Sequence, residues 1–187
     1  DIIPDSSVQS TEAGKGPFGS RKKVFRTHMY PECLPCAVKE KQTKVVYVAR
    51  NPKDVAVSYF FFHQLTAHLG QQSDLTFDEF FPIFFSGKTW VGSWFKHVRT
   101  LWKFTQNNPN ATFVFYEDMQ RDLAGVVQSM EQFLDLPLTP EQRAKVVAHC
   151  SFGAMKDNKM VNREGVPMFE GKGKFMRKGV VGDWKNY

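Results

Sequence analysis

From Lys44 to Arg50 the chain reads KVVYVAR, an apolar run without alternation. An unbroken run of β-branched and aromatic residues predicts a strand buried on both faces, as in a parallel sheet. Asn51 and Pro52 follow at once. Asn is a good helix cap and Pro suits a first helical turn, so a helix is predicted through DVAVSYFFFHQL. A second unit then unfolds in the same order. FDEFFPIFFSG is apolar at helical spacing and stops at Gly87. VGSWFKHVRTLWKFTQN predicts an amphipathic helix with Trp94, Val98, Leu101 and Trp102 on one face. NPN turns the chain into ATFVFYEDM, predicted as another buried strand. RDLAGVVQSMEQFLDL and TPEQRAKVVAHC predict two further helices, the latter capped by Thr139 with Pro140 at its first position. Upstream, Val24-Phe25 predicts a short strand ending near His28.

Strands that alternate with helices place the chain in the α/β class, with a central, mainly parallel sheet flanked by helices. Its 187 residues suit a single domain over 1–187. Residues 1–22 are polar and rich in Gly and Ser, and read as a loop or ragged end. GKGPFGS is glycine-rich, but it lacks the strand before it and the helix after it that a phosphate loop needs. From Asn158 to Tyr187 little periodicity remains, which predicts a long, basic, glycine-containing loop.

With 42% hydrophobic and 14% aromatic residues the chain can bury a sizeable core. The formal net charge of +6 and the pI near 9.2 favour an anionic partner, whether phosphorylated ligand, nucleic acid or acidic surface. No helix-turn-helix, zinc-finger or regular aromatic interleaving appears, so nucleic acid is not the expected partner. The N-terminus DIIPDSSVQS has no apolar leader core, and VAVSYFFFHQL is too short and interrupted to span a bilayer. A soluble, cytoplasmic protein without a membrane partner is expected. The three cysteines do not suggest a disulfide framework. Cys33-Leu-Pro-Cys36 has redox spacing, but no thioredoxin-like strand precedes it, and a proline-rich turn is the simpler reading. No second ligand pair stands at zinc-site spacing, so no metal is expected.

Three places could carry chemistry. ARNPKD is a strand-to-helix turn, where open α/β sheets bind ligands. Arg50 there would add a guanidinium fork to the free N–H groups of a helix start, and Ser58 follows about two turns on. Equally, Arg50 could simply pair with a carboxylate such as Asp54. His28 is a candidate base, with Arg26 on the same side of an extended stretch. In the tail RKGVVGDWKNY, Arg177 and Lys178 precede a glycine that lets backbone approach a ligand, or else form a solvated basic loop.

Together and in this order these stretches resemble the cytosolic sulfotransferase family. VVYVARNPKDVAVSYFFF is similar to its 3′-phosphate-binding strand and helix, and VFYEDM to its next core strand. FMRKGVVGDWKN resembles its C-terminal signature, RTHMYP its catalytic segment and GSWFKHV its middle helix. The resemblance covers residues 23 to 187. It implies a P-loop-NTPase-like sulfotransferase fold, incomplete at the N-terminal edge, because the family's phosphosulfate loop YPKSGTTW has no counterpart and the dimer motif that starts at Lys185 is cut short. A fragment of such an enzyme is therefore expected.

The donor implied is 3′-phosphoadenosine 5′-phosphosulfate (PAPS), with adenosine 3′,5′-bisphosphate (PAP) as product and no metal. Arg50, Ser58, Arg177, Lys178 and Gly179 would hold the 3′-phosphate, with Phe175 and Met176 beside them. Tyr116, Ser151 and Phe152 would contact the adenine. His28 would be the base and Arg26 would replace the family's usual lysine. The implied acceptor is a small phenol, alcohol, steroid or amine. The family's dimers imply a possible homodimer for the full-length protein.

Overall fold

The computed structural model describes residues 11–12, 23–66 and 75–187. The GKGPFGS run and nearly all of residues 1–22 lie outside the described residues. Thr11–Glu12 (β1) pairs antiparallel with Lys23–Val24 (β2). The strand expected at Val24-Phe25 therefore sits one residue earlier, and His28 lies beyond it in a segment without a ladder. A short turn at Pro31–Cys33 and Cys36–Lys39 (α1) follow; Cys33, Cys36 and Cys150 are free and exposed.

Val45–Ala49 (β3) pairs parallel with Ala111–Phe115 (β4), from Val45 opposite Ala111 to Ala49 opposite Phe115. Between them run Pro52–Thr66 (α2), Phe77–Phe85 (α3) and Trp94–Gln106 (α4). Parallel strands need such a helical crossover. Asn51 accepts the Lys53 N–H at 2.9 Å and so caps α2 as expected. Thr76 and Glu79 form a reciprocal capping box on α3, with Thr76 N–H to Glu79 Oε2 at 2.8 Å.

The main core lies between α2 and α3. Ala56, Phe60, Phe80 and Phe84 are buried together, and Tyr59, Phe77 and Trp94 pack around them. Burial of each phenylalanine contributes about 1.5–3 kcal/mol. Phe60, Phe80 and Phe84 of the Phe-rich runs thus serve packing, with Phe60 and Phe80 centroids 5.7 Å apart, whereas Phe81 and Phe85 are exposed.

Two expectations change. β3 is not buried on both faces. Its Tyr47 side packs on Phe113 and on His97 of α4, but Val46 and Val48 are 42% and 48% exposed. A continuous apolar run does not reveal which face is covered. The strand expected over ATFVFYEDM ends at Phe115, and Tyr116–Arg121 (α5) is helical. Its Glu117 and Asp118 are poor strand formers. Arg121 also pairs with Asp118 three residues back at 2.6 Å, a helical spacing. On α4, Trp94 and Val98 are half-buried and Leu101 is buried, whereas Trp102 is largely exposed.

Leu123–Leu134 (α6) and Pro140–His149 (α7) form a helical hairpin, fastened by a two-pronged Arg143–Glu131 pair at 2.6 and 2.8 Å. Phe152–Asp157 (α8) and Lys159–Asn162 (α9) follow. α9 lies inside the stretch expected as loop from Asn158 onward; beyond it the tail contains only short 3₁₀ turns, at Pro167–Phe169 and Asp183–Asn186. It returns along α2, which the contacts below establish.

Candidate functional site

Because β3 and β4 are parallel, their carboxyl ends deliver residues to the same edge. Arg50 leaves β3 and Tyr116 leaves β4, and the guanidinium carbon lies 4.4 Å from the ring centroid. The turn is tied across the sheet by Asn51 N–H to Glu117 Oε1 at 2.8 Å. Arg50 Nη2–H donates to the Val180 carbonyl of the tail at 3.0 Å. Its Nε–H is shielded from solvent and has no hydrogen-bond partner among the described residues. A donor left this way is costly, and an acceptor supplied by a ligand would satisfy it.

These groups open on a cavity of about 260 Å³. Arg50, Ser58, Tyr116 and Gln120 of α5 form one wall, Phe152 and Met155 of α8 another. The tail supplies the rest, from Phe175 and Met176 through Arg177, Lys178 and Gly179 to Val180. Burial raises the Tyr116 phenol pKa and Arg50 offsets this only in part, so the hydroxyl stays protonated. Gly179 has φ +66°, and a Cβ there would stand 2.1 Å from the Phe152 ring. Only glycine lets the tail cross Phe152 this closely.

The two tail cations are not loose. Arg177 Nη2 meets Asp183 Oδ2 at 2.6 Å and Lys178 Nζ meets Asp183 Oδ1 at 2.8 Å. Asn186 adds a third donor at 2.9 Å. Burial alone would raise the Asp183 pKa, but Lys178, Arg177 and Asn186 outweigh it and hold the carboxyl at about 2. Arg177 also lies 4.5 Å over the Phe61 ring. Asp54, expected as a possible partner of Arg50, instead accepts the Gly182 N–H at 2.7 Å and the Trp184 N–H at 3.0 Å.

Nine of the expected site residues therefore meet in one cavity: Arg50, Ser58, Tyr116, Phe152, Phe175, Met176, Arg177, Lys178 and Gly179. Ser151 does not line it; its hydroxyl caps α8 by accepting the Ala154 N–H at 3.3 Å. Arg26 and His28 do not line it either, and both side chains are exposed. The His28 carbonyl faces His97 Nε2 at 3.0 Å, and His97 Nδ1 faces the Tyr47 hydroxyl at 3.0 Å.

Sequence reasoning missed Gln120, Met155 and Val180 in the lining, and the anchoring roles of Asp54 and Asp183. For Asp183 a signal existed: it is the one carboxylate among Arg177, Lys178 and Lys185.

The family profile described as "Sulfotransferase domain" matches residues 12–187. The chain belongs to the sulfotransferase family. Human sulfotransferase 1E1 is 38% identical over 168 residues, covering 88% of this chain and 56% of that protein. Dog sulfotransferase 1B1 is 38% identical over 185 residues, covering 97% of this chain and 60% of that protein. The chain thus spans a little over half the length of these curated relatives. Among solved structures, mouse sulfotransferase SULT7A1 complexed with PAP superposes with a TM-score of 0.77 at 31% identity, covering 99% of this chain and 69% of that one. Retinol dehydratase in complex with androsterone and the inactive cofactor PAP gives 0.77 at 32% identity, over 85% and 46%. The sulfotransferase chain therefore has the fold expected, α/β with a parallel sheet between helices. Among its described residues, no helix is long and apolar enough to cross a membrane.

Proposed function

We propose that this chain carries the nucleotide half of a PAPS-dependent sulfotransferase site. The observation that carries the reading is Arg50: stacked on Tyr116, with a buried Nε–H that has no partner among the described residues, at a cavity bordered by Arg177, Lys178 and Gly179. Guanidinium groups, a hydroxyl and open backbone suit a dianionic 3′-phosphate. Phe152 and Met155 offer an apolar wall for a base. PAP-bound relatives support the same ligand class.

PAPS supplies the sulfuryl group when bound. His28 would take the proton from a small acceptor's hydroxyl or amine as that atom forms its bond to sulfur. The bridging S–O bond breaks and PAP departs. Sulfuryl transfer resembles phosphoryl transfer in relying on positioning and charge stabilisation. Arg26 would add positive charge beside His28. Androsterone and retinol appear in complexes of a related protein, and a small apolar alcohol is the acceptor class they favour.

The test is calorimetry with PAP on the chain and on Arg50→Ala. Saturable binding that is lost in the variant, with an unchanged circular dichroism spectrum, is the expected result. Equal affinity in a folded variant would overturn the reading.

A further inference from the structure

We propose that Asp54 is the positioning residue of this nucleotide site: it latches the tail onto α2 so that Arg177, Lys178 and Gly179 stand opposite Arg50 and Ser58. The inference rests on the proposed function for its ligand and on the hydrogen bonds of Asp54 for its mechanism.

Asp54 is 1% exposed, in the first turn of α2 and one turn after Arg50. A buried carboxylate must find donors. Each of its oxygens takes one backbone N–H, Oδ2 from Gly182 and Oδ1 from Trp184, 128 and 130 residues away in the chain. Between those two amides lies Asp183, whose side chain turns the opposite way, to Arg177 and Lys178. One carboxylate therefore fixes the backbone of the tail turn, and the next fixes the two cations relative to it. The other ties between tail and α2 lie elsewhere along the helix. At its far end the Gly171 N–H donates to the Leu65 carbonyl at 2.9 Å and the Lys172 N–H to the Gln64 carbonyl at 3.3 Å. Ring contacts place Lys53 over Trp184 at 4.0 Å, Arg177 over Phe61 at 4.5 Å and Tyr187 edge-on to Phe61 at 5.6 Å. Among these it is Asp54 that holds the Gly182–Trp184 turn by hydrogen bonds. Arg50 adds its bond to Val180.

A ligand that touches Arg50 and Ser58 on one side and Arg177 to Gly179 on the other binds only the latched form. Its apparent affinity is then reduced by whatever fraction of the chain is unlatched, and its binding must favour the latch in return.

The experiment is PAP titration and amide hydrogen exchange on the unaltered chain and on Asp54→Asn. The asparagine amide keeps one acceptor and sets an NH₂ against the second backbone N–H. Loss of a charged hydrogen bond of this kind should raise the PAP dissociation constant about tenfold or more. Without ligand, Gly182 and Trp184 should exchange faster in the variant while Val45–Ala49 keep their protection. Saturating PAP should restore the tail. Wild-type affinity in the variant would overturn the inference, as would faster exchange of β3 together with the tail, which would make Asp54 merely a stability residue. If the variant does not fold, the unaltered chain still decides. PAP should slow exchange at Gly182 and Trp184 but not at Tyr47, and no slowing overturns the latch. Failure of the unaltered chain to bind PAP at all would overturn the proposed function. Gly182 and Trp184 exchange in Asp54→Asn would still test the latch.

Discussion

Tyr47 and His97 form a hydrogen bond of 3.0 Å between the Tyr47 hydroxyl and Nδ1 of the imidazole. Its direction follows from the other ring nitrogen. Nε2 faces the carbonyl oxygen of His28, which can only accept, so Nε2 carries the proton. Nδ1 is therefore bare and Tyr47 donates to it. Burial, then Tyr30, pushes the Tyr47 pKa up to about 12, so that proton is always available. Tyr47→Phe should cost about 1 kcal/mol in denaturant unfolding, because it leaves Nδ1 without its donor. No change in midpoint would mean that the bond adds nothing to stability.

The same pair gives a pH prediction. Burial, more than any other cause, lowers the His97 pKa below its usual 6.5. The unfolded chain then binds the proton more readily than the folded one, so stability rises with pH in this window. Stability from neutral His97 is fully present above about 6.5 and declines as pH falls from there through the lower folded value. Thermal midpoints across that range should drop on acidification, and His97→Gln should flatten the slope. An unchanged slope in the variant would assign the effect to other groups.

Asp183 behaves in the opposite pH region. Its folded pKa of about 2 lies below the usual 3.8. Its contribution is present above the unfolded value and is lost as pH falls through the folded one. Asp183→Asn should remove that part of the acid transition. It should also weaken PAP binding, since Arg177 and Lys178 lose the carboxylate that orients them. Calorimetry near neutral pH checks the second effect and acid titration of the tail signals the first.

Gly179→Ala should damage the site more than its size suggests. Its φ of +66° costs an L-residue about 1–2 kcal/mol, and the added methyl would strike the Phe152 ring. Loss of PAP binding with the α2–α3 core intact is expected. An unimpaired site would mean that Phe152 moves aside freely.

Phe80→Ala tests the core itself. Phe80 is 2% exposed and packs on Phe60, Tyr59 and His63. Truncation should destabilise by about 3–5 kcal/mol, read from chemical denaturation. A smaller loss would show that the neighbouring rings collapse into the space.

Much of this was legible in local patterns. KVVYVARNPKD carries its strand, cap and helix start within eleven residues, and Arg50 sits where that turn predicts. The tail chemistry of Arg177, Lys178 and Gly179 was visible as composition, and the family resemblance supplied their role. What spacing could not carry was long-range pairing. Asp54 looked like a neighbour for Arg50, because it stands four positions on, in the first turn of the helix that follows. Its real partners are two backbone amides near the end of the chain, and backbone amides look alike in every sequence. The Val46 and Val48 face was misjudged for a related reason: an apolar run records a preference for burial, not the presence of a cover.

Trp184 has one further consequence. Its indole is half-buried with the Lys53 ammonium 4.0 Å from the ring, and the backbone N–H of Trp184 is held by Asp54. Trp90, Trp94 and Trp102 belong instead to the α3–α4 side of the molecule, and Trp90 and Trp102 already face solvent. The emission colour of this one indole should therefore follow the tail as it comes and goes, giving the chain its own built-in optical gauge of whether the nucleotide cleft is assembled.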